Sequence, residues 1–440
     1  MKKLLALFMA MLILLSLAAC GNEDTATGPT ATEPAASTPS NSSGSAETEE
    51  KAYLFLHGLL AVRKGDKWGY INTKGEMVIQ SIYEDAYGFA DNGLACVYLN
   101  GKYGYINAKG EMVIQPVYDD AYGFRNNGLA RVELNGKYGY INTKGEMVIQ
   151  PIYDDAFDFD DNGLARVEIN YKWGLINEAG KTVVSPIYDD VRGFHSNGLA
   201  RVELNGKCGY INAKGEMVIP ARYDDSYGFD ENILAVVVLD GKYGYINIKG
   251  EMVVPAIYDD AYSFDASGFA EIKLDGKWGL INAAGETVIQ PIYDGTDSFA
   301  DNGLASVKLN DKYGYINTKG EMVIQPIYDF ALFFDDNGLA IVELNGKYGY
   351  INAKGEMVIQ PSYDDAFYFD DNGLARVKLN GKWGYINTRG EMVIQPIYED
   401  TSSFYDGGYA YVELNGKYGV INTEGELVVP AMYDKLERSL

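Results

Sequence analysis

The segment Lys137-Tyr138-Gly139-Tyr140-Ile141-Asn142-Thr143-Lys144-Gly145-Glu146-Met147-Val148-Ile149-Gln150-Pro151-Ile152-Tyr153-Asp154-Asp155 recurs with substitutions, eleven times at a spacing of 35 residues, and no copy gains or loses a residue. Its Lys-aromatic-Gly step stands at Lys67-Trp68-Gly69, Lys102-Tyr103-Gly104, Lys172-Trp173-Gly174, Lys277-Trp278-Gly279, Lys382-Trp383-Gly384 and five further places; at Lys207-Cys208-Gly209 a thiol replaces the ring. Eleven units of 35 fill residues 56–440 and leave no room for a separate domain. A fixed period of this length means one supersecondary unit stacked on copies of itself.

Within a unit, Leu129-Ala130-Arg131-Val132-Glu133-Leu134 alternates apolar and polar residues, as a half-buried strand does. Asn135-Gly136 follows and predicts a type I′ hairpin, whose two central residues need positive φ. A second strand runs from Lys137 to Asn142, with Gly139 as a bare spot where another chain can approach closely. Asn142-Thr143-Lys144-Gly145 turns again, and a third strand from Glu146 to Gln150 ends at Pro151, which has no amide hydrogen to pair. The crossing from Ile152 to Gly163 is too apolar for a free loop, and either a short fourth strand or a helical turn fits it. The expectation is an all-β repeat protein: eleven three-stranded antiparallel β-meander units in an open superhelical solenoid of propeller-like units, with a closed β-propeller as the alternative. Eleven units exceed the four to eight blades typical of closed propellers. In an open stack the end units need caps; Leu54-Phe55-Leu56-His57 with Arg63-Lys64-Gly65-Asp66 would supply one, and Asp434-Lys435-Leu436-Glu437-Arg438 the other.

Residues 1–19 read as an export signal: Lys2 and Lys3 precede an apolar run from Leu4 to Leu15 that is short for a bilayer span. Leu17-Ala18-Ala19-Cys20-Gly21 resembles the bacterial lipobox. That resemblance implies cleavage before Cys20 and two-chain lipid anchoring to the membrane through its thiol and new N-terminus. Residues 20–55, rich in Ser, Thr, Pro and Glu, are expected to form a disordered tether between the anchor and the repeats at 56–440. The expected location is the outer face of a bacterial cell membrane or the cell surface.

Lys67-Trp68-Gly69-Tyr70-Ile71-Asn72-Thr73-Lys74-Gly75-Glu76-Met77-Val78-Ile79 resembles the bacterial WG (KWG) β-repeat family, and the likeness extends over residues 56–440. It implies a β-rich repeat of exported and cell-surface proteins with no common enzymatic activity. Trp holds the ring position at Trp68, Trp173, Trp278 and Trp383, and Tyr at Tyr103, Tyr138, Tyr243, Tyr313, Tyr348 and Tyr418. A position that accepts Trp, Tyr and Cys208 suits a structural packing slot better than a recognition site repeated eleven times. The three-unit spacing of the tryptophans fits a superhelix of about three units per turn, or growth of the gene by three-unit duplication.

The net charge is −25, which argues against nucleic acid as a partner, since phosphate contacts need concentrated Lys and Arg. Cys96 and Cys208 sit at different positions three units apart and read as packed thiols. His57 and His195 are the only histidines, too few for a nucleophilic triad or a histidine metal centre. Asp158, Asp160 and Asn162 match the opening of an EF-hand calcium loop, but its closing glutamate would fall on Ile169. They remain a weak metal candidate, and no cofactor is expected. With 36 tyrosines and abundant carboxylates, the chain is expected to be a non-catalytic surface lipoprotein whose repeat scaffold binds protein or glycan ligands. The alternatives are an envelope-associated enzyme or its assembly partner, and a purely structural spacer.

Overall fold

The computed structural model describes residues 54–195, 197–230, 234–405 and 407–437. The signal segment, Cys20 and the tether up to residue 53 lie outside the described residues.

Each unit is one four-stranded antiparallel sheet, here called a blade. In blade 4 the strands are Asp155–Ala156, Leu164–Ile169, Lys172–Asn177 and Thr182–Tyr188, paired in that order. The crossing therefore carries a fourth strand, only two residues long, which precedes the three strands expected. The hairpin between Leu129–Leu134 and Lys137–Asn142 has the expected turn, with Asn135 at φ 55° and Gly136 at φ 74°. The last strand does not stop at proline: in blade 3 it runs Met147–Tyr153, through Pro151. Val148 and Ile152 are exposed on it, so this strand is the outer rim of the blade, where an absent amide hydrogen leaves no partner unsatisfied.

Glycine in the Lys-aromatic-Gly step is dictated by that rim strand. Tyr138 pairs with Tyr153 and Tyr140 with Ile149, so two steps on the inner strand face four on the rim strand. The excess arches over Gly139. A Cβ there would lie 2.5 Å from Ile149 O and 2.8 Å from Pro151 N. At all eleven equivalent glycines the nearest backbone atom would be at 2.4–2.7 Å, closer than any side chain tolerates.

The sheets pack face to face, and every junction has its own core. Between blades 3 and 4, Leu129, Tyr140, Ile149 and Tyr153 of one blade meet Ala156, Phe159, Ala165, Val167 and Ile176 of the next. The Tyr140 ring packs against Phe159 at 4.8 Å between centroids, and its hydroxyl donates to Phe157 O at 2.5 Å. A buried tyrosine is thereby anchored at its polar end as well as its apolar one.

The stack closes on itself. Lys435–Glu437, at the C-terminal end, is the missing first strand of blade 1 and pairs with Leu59–Lys64 through Ala61↔Glu437, Val62↔Leu436 and Arg63↔Lys435. Leu54, Leu60, Val62 and Ile71 share one core with Val420, Val429 and Tyr433. The molecule is an eleven-bladed closed β-propeller, and the expected open solenoid is corrected. The two ends taken for caps form this seam; Leu54, at the edge of the expected tether, is 2 % exposed within it. The superhelical alignment of tryptophans falls with the solenoid: Trp68, Trp173, Trp278 and Trp383 sit in blades 1, 4, 7 and 10 of the ring.

Candidate binding wall between the blades

The first acidic residue after each rim strand is committed to the fold. Asp154 pairs with Lys137 of blade 3, and its other oxygen accepts Asn170 N from the hairpin of blade 4 at 2.8 Å. All eleven junctions carry this clasp, from Lys67–Glu84 to Lys417–Asp434, and the hairpin bond spans 2.6–3.3 Å. The lysine hydrogen bond, then the hairpin amide, hold the Asp154 carboxyl below its usual range. At the seam Asp434 reaches Gly65 N in the same way. These pairs were missed as a unit, although Lys and acid recur 17 residues apart in every repeat.

The Lys-aromatic-Gly ring lies on the face each blade turns to the next. Trp68, Tyr103, Trp383 and the replacing Cys208 are buried there. Tyr138, Trp173, Tyr243, Trp278, Tyr313, Tyr348 and Tyr418 are half-buried. Several pack on a residue that follows the first strand: Trp278 stacks on Tyr262 at 5.4 Å, while Trp173 meets Phe157 at 5.5 Å and Trp383 meets Phe367 at 5.7 Å with tilted rings. The slot is thus a packing position in some blades and an accessible ring in others.

Asp158, Asp160 and Asn162 are not brought together around a common point. Asp158 takes Arg125 through Nε at 3.0 Å and Nη2 at 2.8 Å. Asp160 caps its own turn through the amides of Asn162 and Leu164, and Asn162 donates to Phe194 O. Among the described residues no group of three or more His, Cys, Asp and Glu is arranged to hold a metal ion. Cys96 and Cys208 are buried thiols outside any disulfide, and Cys96 Sγ reaches Ala121 O at 3.5 Å. A depression between blades 2 and 3, lined by Gly88, Asp91, Phe124 and Arg125 among others, has room for about 20 Å³, enough for one water.

The position beside the ring, on the second strand, changes character from blade to blade. It reads Ala61, Cys96, Arg131, Arg166, Arg201, Val236, Glu271, Ser306, Ile341, Arg376 and Tyr411 around the propeller. Arg131 lies 3.6 Å over Tyr122 and donates to Ala156 O. Arg201 bonds Asp190 at 3.2 Å and Asp225 at 2.9 Å. Arg376 lies 3.7 Å over Phe367 and donates to Thr401 O. Glu271 faces blade 8, where Ser298 Oγ reaches it at 3.4 Å and Asp297 accepts from Ser306. Burial, then the neighbouring Asp297 charge, push the Glu271 carboxyl up to about 8. Burial also raises Asp297. No motif marked this pair, because it spans two units that each carry the repeat intact.

No curated protein sequence matches the chain. Among solved structures, a eukaryotic initiation factor is 11% identical over 89% of this chain and 100% of its own, with a TM-score of 0.37. PorZ, a bacterial surface component of the type-IX secretion system of Porphyromonas gingivalis, is 10% identical over 82% of this chain and 63% of its own, at 0.24. Hsv2 of Kluyveromyces lactis is 8% identical over 57% and 97%, at 0.32. All three are distant. The family model described as WG containing repeat matches eleven times, at 68–103, 103–138, 138–173, 173–208, 209–243, 243–278, 278–313, 313–348, 348–383, 383–418 and 418–438. With arches over glycine, inter-blade clasps and family matches all keeping one 35-residue period, this chain belongs to the WG-repeat family.

Proposed function

We propose that the ring is a non-catalytic scaffold that binds protein or glycan ligands at a bacterial cell envelope, held to the membrane by lipid on Cys20. The observation that carries this reading is the contrast between a repeated frame and an unrepeated wall. Lysine, glycine and clasp acid recur at every junction, as closure of a ring requires. The neighbouring position holds eight residue types in eleven blades, including Arg166 and Glu271, ionisable groups that are half-buried. Withdrawing a charge is costly unless something compensates it, and residues that break a local rule mark functional places more often than structural ones. A wall whose chemistry differs at each junction suits a ligand with several distinct groups. It suits a passive spacer poorly.

A glycan and protein array probed with the mature chain is the test. Selective, saturable capture of one ligand class supports the scaffold reading, and uniform absence of capture refutes it. Anchoring is tested separately: Cys20→Ser should release the protein from membranes or leave an uncleaved precursor, and unchanged retention without lipid incorporation would remove that part. One observation favours a second reading, hydrolysis of a glycoside: Glu271 with its raised affinity for protons stands near Asp297. Cleavage of any oligosaccharide, abolished in Glu271→Gln, would replace the scaffold reading with this one.

A further inference from the structure

A third-strand tyrosine fills the junction in eight blades and is replaced by Leu175, Leu280 and Val420 in the other three. In blade 3 Tyr140 fills the junction and bonds Phe157 O, whereas blade 4 has Leu175 at the equivalent place. Arg166 is the cross-strand partner of Leu175. Its guanidinium lies 4.1 Å from the Phe157 ring centre and 5.1 Å from that of Trp173. The two rings stand 5.5 Å apart at a tilt of 47°.

Arg166 Nε is buried with no hydrogen-bond partner. The other arginines at this position, Arg131, Arg201 and Arg376, all bond through their terminal nitrogens, and Arg166 makes no such bond among the described residues. Nearby acids are otherwise engaged. Asp190 takes Arg192 Nε at 3.0 Å and Arg201 Nη1 at 3.2 Å, and Asp155 accepts the Ala156 amide at 2.7 Å. Blade 10 repeats the trio as Phe367, Arg376 and Trp383, but there the guanidinium is bonded and Phe367 packs against the junction core. Phe157 is instead 43 % exposed. Blade 4 therefore combines a stacked, unbonded guanidinium with an open aromatic face.

We infer that Phe157, Arg166 and Trp173 form a subsite for the carboxylate of an acidic sugar. The guanidinium fork matches a carboxylate in two parallel bonds, and the open ring face takes the apolar face of a pyranose. Arg192, with a side chain 60 % exposed, stands at the same junction and is paired with Asp190. The net charge of −25 opposes a polyanion as a whole, so the subsite is assigned a single carboxylate held by the local charge of Arg166. This subsite rests on the scaffold reading and names one class of ligand for it.

The test is calorimetric titration of the mature chain with tetragalacturonate, and with a neutral galactose tetramer as its counterpart. The acidic tetramer is expected to bind at least tenfold more tightly than the neutral one. Arg166→Gln should lose at least tenfold in affinity with the melting temperature retained, Phe157→Ala should lose severalfold, and Arg376→Gln should bind as the unaltered chain does. Should Arg166→Gln fail to fold, Phe157→Ala carries the test, since its ring is already exposed. Equal binding of both tetramers, or full affinity in Arg166→Gln or in a folded Phe157→Ala, overturns the subsite. If the array finds another ligand while tetragalacturonate does not bind, the scaffold reading stands and this one falls. Competition by an acidic peptide as strong as by the sugar overturns the assignment to glycans.

Discussion

Removing residues 434–440 should open the ring, and the structure sets the size of the effect. The deletion takes away the ladder at Ala61, Val62 and Arg63, the bond from Asp434 N to Arg63 O at 2.9 Å, and the bond from Gly65 N to Asp434 Oδ2 at 2.8 Å. It also removes the Lys417–Asp434 pair and the packing of Leu436 on the seam core. At about 1 kcal/mol for each neutral backbone bond, the loss of the ladder and the Asp434 amide bond comes to roughly 2–4 kcal/mol at one junction, before the apolar packing of Leu436 is counted. Losses in blades 2 to 10 should be small, because each of those junctions is complete without the seam. Hydrogen exchange resolves this directly: Leu59–Lys64 should lose protection while Lys242–Asn247, on the far side of the ring, keeps it. Small-angle scattering should show the radius of gyration rising as the ring springs open. Unchanged protection at Leu59–Lys64, together with an unchanged radius, would refute closure through this strand.

Gly174→Ala should destabilise its blade by about 3 kcal/mol or more, since the new Cβ meets Val184 O at 2.5 Å in a packed arch; denaturant unfolding measures it, and Gly128→Ala, where nothing lies near the site, serves as the milder comparison. Tyr171 sits at φ 61° in its hairpin and is 88 % exposed, so Tyr171→Gly should stabilise by roughly 1 kcal/mol, and a lower melting temperature would count against the turn assignment. Glu271 holds its proton more tightly folded than unfolded, with its carboxyl raised from 4.5 to about 8. Its contribution is therefore full below pH 4.5 and is lost as pH climbs through 8, so stability should fall over that window by up to a few kcal/mol. Glu271→Gln should remove this slope, and identical pH–stability curves for the two proteins would show that the pair does not titrate there.

Local geometry was legible in the sequence and the arrangement of units was not. Asn135-Gly136 forms the turn its residues specify, and Gly139 is the close approach that a bare backbone allows. Both are decided within one hairpin. At the crossing the sequence left a short fourth strand and a helical turn both open, because the two residues of Asp155–Ala156 cannot display a period. Closure escaped for another reason. Lys435–Glu437 is only Lys-Leu-Glu, too short to establish a strand period, and its partner Leu59–Lys64 stands at the opposite end of the chain. The wall was half legible. Its rings were identified, but Arg166 and Glu271 gain their character from the blade that packs over them, and no single repeat contains both sides of a junction.

The number of blades is a sum over junctions, which is why a repeat can be read without revealing whether it closes. An open stack and a ring contain the same neighbour contacts, differing only in whether a small tilt per unit adds up to a full turn. Here the tilt is set by side-chain size across the junction: Tyr140, Ile149 and Tyr153 on one face meet Ala156, Ala165 and Val167 on the other. With eleven blades the share of the turn at each junction is small, so adjacent sheets lie closer to parallel than in a ring of the usual size. Nearly parallel faces stay close over their whole width, and side chains well in from the edge meet the next blade. The same geometry that closes a large ring thus creates a long, partly buried wall at each junction. The frame fixes one part of that wall, through tyrosine hydroxyls and lysine clasps, and the rest varies without loss of closure. Leu175 marks where the two parts meet: the junction keeps its apolar core, the tyrosine hydroxyl is gone, and the Arg166 guanidinium beside it makes no hydrogen bond among the described residues. In such a ring, polar chemistry can be placed at one junction without disturbing the frame of the others, as Arg131, Arg166, Arg201, Glu271 and Arg376 illustrate.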